Sequence, residues 1–118
     1  MTHDEMSDFI QNDLIPKVIK TRDQAQKEYA EADNVFANFE NVARFIGGDR
    51  DEAIMTYLIK HIQGLGSYTC KGVVAQREGV EGRIIDSIVY LFLLAASLED
   101  KQRDLDSHYS SANDEIAF

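Results

Sequence analysis

The sequence predicts an all-α protein, a small bundle of about four helices around one central apolar helix near 81–106. Three observations predict it. The stretch from Glu81 to Ala96 is apolar on nearly every helical face. Three other segments carry apolar residues at spacings of three and four. No stretch alternates apolar and polar residues as a half-buried strand would.

The first helix is expected from about Asp4 to Glu31, interrupted near Pro16. A new piece starting at Asp13 or Leu14 would hold Pro16 in its first turn, where the missing N–H does no harm. Ile15, Val18, Ile19, Ala25 and Tyr29 form its apolar face.

The second helix, about Phe36 to Ile46, presents Phe39, Val42, Ala43 and Ile46. Gly47-Gly48 ends it, because glycine accepts the left-handed cap conformation. Tyr29, Phe36 and Phe39 read as core or as a stacking platform. Asn38 reads as a helix cap or as a ligand contact.

Asp49-Arg-Asp-Glu52 resembles a capping box with Asp in the Ser/Thr position. It starts a third helix that places Ile54, Leu58, Ile62 and Leu65 on one face. Gly64, Gly66 and Gly72 predict a break between Gly64 and Gly72.

The fourth helix is the central one. Its single polar stripe holds Arg83, Asp86, Tyr90 and Ser97, which fall within roughly a sixth of a turn at about 100° per residue. Charges on so apolar a helix need partners, since burying a lone charge costs several kcal/mol or more. The chain therefore divides into one helical domain, 1–108, and a C-terminal tail, 109–118, expected to be flexible for want of periodicity.

Composition narrows the function. A net charge of -9 opposes general nucleic-acid binding and docking on anionic membranes. It allows a basic protein partner, and a local Arg/Lys cluster can still hold a phosphate. The longest apolar run is too short to span a bilayer, and no signal peptide is visible. A lone cysteine, Cys70, forms no disulfide within the chain, fits a reducing compartment, and lacks the electropositive surroundings of a catalytic thiol beyond Lys71. P-loop, GxGxxG, HExxH, CxxC and nucleophile-elbow motifs are absent.

The candidate ligand-binding residues are Lys60, His61, Arg83, Asp86, Tyr90 and Asn38. His61 shares the apolar arc of the third helix, as a core histidine or as a ligand contact with a near-neutral pKa. Lys60 projects nearly opposite, with Thr56 and Gln63. Arg83 and Asp86 read either as an intrahelical ion pair or as a phosphate grip and a hydroxyl reader. Tyr90 either packs or meets a base. Glu78, Glu81 and Asp86 are candidate Mg²⁺ ligands, although acids at a helix start also follow from the macrodipole.

Lys27-Glu-Tyr-Ala30, Phe36-Ala-Asn-Phe39, Tyr57-Leu-Ile-Lys-His61 and Glu81-Gly-Arg-Ile-Ile-Asp-Ser-Ile-Val-Tyr-Leu91 resemble small all-helical bacteriophage proteins. More distantly, the chain is similar to the phage nucleotide-modification-associated helical domain. Lys60 and Asp86-x-x-x-Tyr90 match that pattern, while Ala30 replaces its glycine. A looser similarity is to MazG-like pyrophosphohydrolases, whose Glu-Glu-x-x-Glu and Glu-x-x-Asp motifs are not intact here.

The resemblance bears on membership; the Lys60/His61 and Arg83/Asp86/Tyr90 groups, with no complete metal motif, lead to the expectation of a non-enzymatic phage accessory protein of the host cytoplasm. It would bind a nucleotide-like signal between the third and fourth helices, with a homo-oligomer interface completing the pocket. No cofactor is expected. Mg²⁺ enters only under a hydrolase reading, and an acidic inhibitor of a host protein is the third reading.

Overall fold

The structure, a computed structural model, describes residues 1–29, 33–71 and 77–116. Within these, the side chains of 28, 29, 71, 77, 78 and 110–116 are not described. The expectations placed on Glu28, Tyr29, Ala30, Glu31, Lys71, Gly72 and Glu78 therefore lie outside the described residues.

Every element is helical: α1 (His3–Phe9), a π turn (Ile10–Leu14), α2 (Ile15–Tyr29), α3 (Ala37–Ile46), α4 (Arg50–Lys71) and α5 (Arg77–Ile116). This is the small all-α bundle that the periodicity predicts. No described helix is long and apolar enough to cross a membrane.

The expected interruption near Pro16 takes an unexpected form. The chain stays helical from 3 to 29, and one widened turn precedes the proline. In a regular α-helix the Pro16 ring would collide with the carbonyl four residues back. The Ile15 N–H instead reaches the Ile10 carbonyl, a five-residue step that inserts one extra residue into the turn. Pro16 then sits in the first turn of α2.

Gly47 closes α3 at φ 70°, the left-handed position that glycine adopts freely. Asp49 opens α4 with a reciprocal box: the Glu52 N–H donates to Asp49 Oδ1 at 2.9 Å, and the Asp49 N–H to Glu52 Oε1 at 3.4 Å. The break expected after Gly64 is absent, and α4 continues through Gly66 to Lys71. The α4 helix gains from packing against α5, which outweighs the weak propensity of two glycines. Helix α5 begins earlier and runs further than 81–106.

Two buried clusters meet on α5. Phe36, Phe39, Ala43, Ala53 and Ile54 form one, joined by Tyr57, Tyr90 and Leu93. Val18, Ile85 and Val89 form the other, again joined by Leu93. So α5 is central, with α3 and α4 on one side and α2 on the next. Its apolar content does not bury all round, however: Ile84, Leu91, Phe92 and Leu98 are exposed.

Candidate functional site

The polar stripe of α5 faces α4, and four pairs fix the register. Arg83 lies on Gly64, Asp86 meets His61, Tyr90 stacks on Tyr57, and Ser97 bonds Arg50. Steps of three, four and seven residues toward the end of α5 match the same steps toward the start of α4. The two helices are therefore antiparallel.

At the deep end of this seam Ser97 is fully buried. Its Oγ receives Arg50 Nε at 2.9 Å and donates its proton to Asp51 Oδ1. Arg50 also donates to the Ser97 carbonyl at 3.2 Å and to Asp100 at 2.9 Å, stands 3.6 Å from Glu40, and lies 4.1 Å above the Phe36 ring. Lys101 donates to the other oxygen of Asp51. Burial pushes the Asp51 carboxyl up, but the bonds from Lys101 and Ser97, with the Lys101 and Arg50 charges, hold it below its ordinary value. This network closes the bundle; every polar group in it already has a protein partner.

In the middle of the seam, His61 and Tyr57 both stack on Tyr90, with ring centroids 5.5 and 5.8 Å away. Phe39 meets Tyr57 and Tyr90 edge-on, the arrangement that the ring quadrupoles favour. His61 Nε2 stands 3.9 Å from Asp86 Oδ2. His61 Nδ1 is buried without a hydrogen-bond partner.

Asp86 and Tyr90 also line a cleft on the other side of α5, between α2, α3 and α5. Asn38 lines it from α3, and Thr21, Arg22 and Gln26 line it from α2. Its apolar wall includes Ala25, Val35, Val89 and Leu93. The cleft encloses about 130 Å³. Small-molecule pockets usually measure about 300–1,000 Å³, so this one takes a single ring and not a whole nucleotide.

The six candidate residues thus separate. Asn38, Asp86 and Tyr90 share the cleft. His61 supports Asp86 and Tyr90 from the α4 side. Arg83 is exposed and rests on Gly64, and among the described residues it forms no ion pair with Asp86 or any other acid. Lys60 is exposed, and neither it nor Arg83 lines the cleft. The cleft lies between α2, α3 and α5 rather than between the third and fourth helices.

Asn38 does not cap α3. The N-cap is Phe36, which makes no side-chain cap bond; Asn34 steadies the turn before it, accepting the Phe36 N–H at 3.0 Å and donating to Glu40 at 3.1 Å.

Sequence reasoning missed Thr21, Arg22 and Gln26. Arg22 and Gln26 lie four apart on one helix face, which was the available signal, but a polar face on α2 reads like any solvated surface. Of the candidate carboxylates, Glu81 and Asp86 have described side chains and face different partners. Glu81 holds Lys17 at 2.7 Å and, with Asp13, pushes that ammonium up from its ordinary value. Among the described residues no three His, Cys, Asp or Glu side chains are placed to hold a metal ion.

No protein family, curated protein or solved structure matches this chain.

Proposed function

We propose that this chain is a non-catalytic binding protein for a nucleotide or a nucleotide-derived signalling molecule, and that the ligand's ring enters the α2–α3–α5 cleft. The observation that carries this reading is the lining of that cleft. A carboxylate (Asp86), two amides (Asn38 and Gln26) and a hydroxyl (Thr21) surround an apolar wall of one-ring size. Such a mixture reads the edge of a planar heterocycle while its faces meet apolar carbon.

Arg22 is the cation of the set. Its bond to Asp23, at 3.1 Å, joins two exposed side chains. A surface pair of this kind contributes about 0–1 kcal/mol, so it yields easily to a phosphate, which a guanidinium grips with two parallel bonds. The remainder of the ligand would lie outside the cleft.

The sequence resemblance to phage proteins adds the biological reading: sequestration of a host defence messenger in the bacterial cytoplasm.

The test is native mass spectrometry of protein purified from phage-infected and uninfected cells, followed by titration with the released species. The expected result is a co-purified mass in the nucleotide range, with binding lost in Asp86→Ala and weakened at least tenfold in Arg22→Ala. Arg83→Ala should bind as the parent does. A chain that arrives bare from both cell types, and binds none of a panel of linear and cyclic nucleotides, would overturn the proposal.

A further inference from the structure

The exposed face of α5 carries a heptad. Ile84, Leu91, Leu98 and Leu105 recur every seven residues and are 39%, 50%, 66% and 63% exposed. Ile88, Ala95 and Tyr109 fall four residues after three of them and Gln102 four after Leu98, giving the alternating three-four spacing of a coiled-coil seam with one polar place. Over 84–105 the seam is about 32 Å long at a rise of about 1.5 Å per residue. Apart from Ile88, which packs against the Val18 cluster, it lies away from that cluster and from the stripe that faces α4.

Two further observations say what covers it. The first is surface area. The chain exposes 8832 Å², whereas a compact monomer of 13.3 kDa exposes about 6,500 Å². Its radius of gyration, 18.6 Å, likewise exceeds the roughly 13.5 Å of a compact domain this long. The excess of about 2,300 Å² is ample for a standard interface, which takes about 800 Å² from each partner. The second is the far end of α5. From Lys101 to Tyr109 every residue is exposed. Beyond the Lys101–Asp51 bond this stretch buries no side chain of its own, and helical stability in proteins comes mostly from packing of an amphipathic face.

We propose that α5 pairs along Ile84, Leu91, Leu98 and Leu105 with α5 of a second copy of this chain. A heptad stripe is complementary to itself, as a two-fold interface requires. Around Leu105 the stretch from Glu99 to Asp106 carries both signs, Glu99, Asp100, Asp104 and Asp106 with Lys101 and Arg103.

The experiment is sedimentation equilibrium of the full chain and of two variants, Leu98→Glu and Leu105→Glu, with helical content followed by circular dichroism. Leu105 lies beyond the bundle and its replacement leaves the core of its own chain untouched. Ile59→Glu, on the outer face of α4, is the control. The parent and the Ile59 control are expected at an even multiple of the chain mass. Each α5 variant is expected at half the parent's mass, with the helicity of the bundle retained. A monomeric parent, or a parent mass unchanged by both α5 substitutions, would overturn the proposal.

Discussion

Arg50 Nε donates to Ser97 Oγ across the α4–α5 interface. With that lone pair occupied, the hydroxyl points its proton at Asp51, so one small side chain joins a cation to an anion. Ser97→Ala leaves Arg50 and Asp51 each short of a buried partner. The expected loss is about 1–3 kcal/mol, read as a lower urea midpoint with an unchanged m-value.

The same network makes stability depend on acid. A carboxyl held below its unfolded value, ordinarily 3.8, binds fewer protons when folded. Its contribution is therefore complete above the unfolded value and disappears as the pH falls through the folded one. The midpoint of thermal unfolding should drop more steeply below pH 4 in the parent than in Asp51→Asn. Parallel curves would show that Asp51 is not the group responsible.

The two glycines inside α4 have different surroundings. A methyl at Gly66 meets open space, whereas one at Gly64 would fall 2.4 Å from the Arg83 guanidinium. Gly66→Ala should stabilise the protein by about 1 kcal/mol through helix propensity alone. Gly64→Ala should yield less, because Arg83 must leave its seat. Comparison of the two melting temperatures checks the order.

His61 has a polar atom buried without a partner, and its other nitrogen stands at a long 3.9 Å from Asp86. His61→Phe keeps a ring against Tyr90 and removes the unpaired nitrogen. Stability should rise by about 1 kcal/mol, since an unsatisfied buried polar group costs about 1–3 kcal/mol. A destabilised variant would mean that the imidazole makes a polar contact the fold depends on.

The cap of α4 offers a local check. Asp49→Ala removes one half of the box with Glu52 and should cost about 1 kcal/mol. Asp49→Ser should restore most of it.

Local chemistry was legible in the sequence, and so was the polar stripe. The Gly47 cap and the Asp49–Glu52 box depend on residues within a turn, and the common arc of Arg83, Asp86, Tyr90 and Ser97 only on the regular period of one helix. What the stripe meets depends on how helices pack, and that is not local. Asp86 has a neighbour twenty-five residues away in His61, so the intrahelical pair, one of the two alternatives for Arg83 and Asp86, gives way to a contact that only the antiparallel register creates. The cleft was half legible for the same reason: Asn38, Asp86 and Tyr90 stand on helices with a clear apolar face, whereas the α2 wall is polar. The glycines misled because propensity is weighed one residue at a time, while α4 is held against α5 from Arg50 to Gly64 and the helix carries on past that contact.

The π turn before Pro16 has a consequence for everything upstream of it. One added residue turns the preceding helix by about 100° relative to the pattern that follows. Met6 and Ile10 thereby fall nearer the line of Leu14 and Val18, yet Met6, Phe9 and Ile10 remain exposed and α1 contains no buried residue. The first helical turns contribute no buried side chain to the bundle's interior. The N-terminal segment is thus free to change sequence, or to serve some other surface, at little expense to the fold.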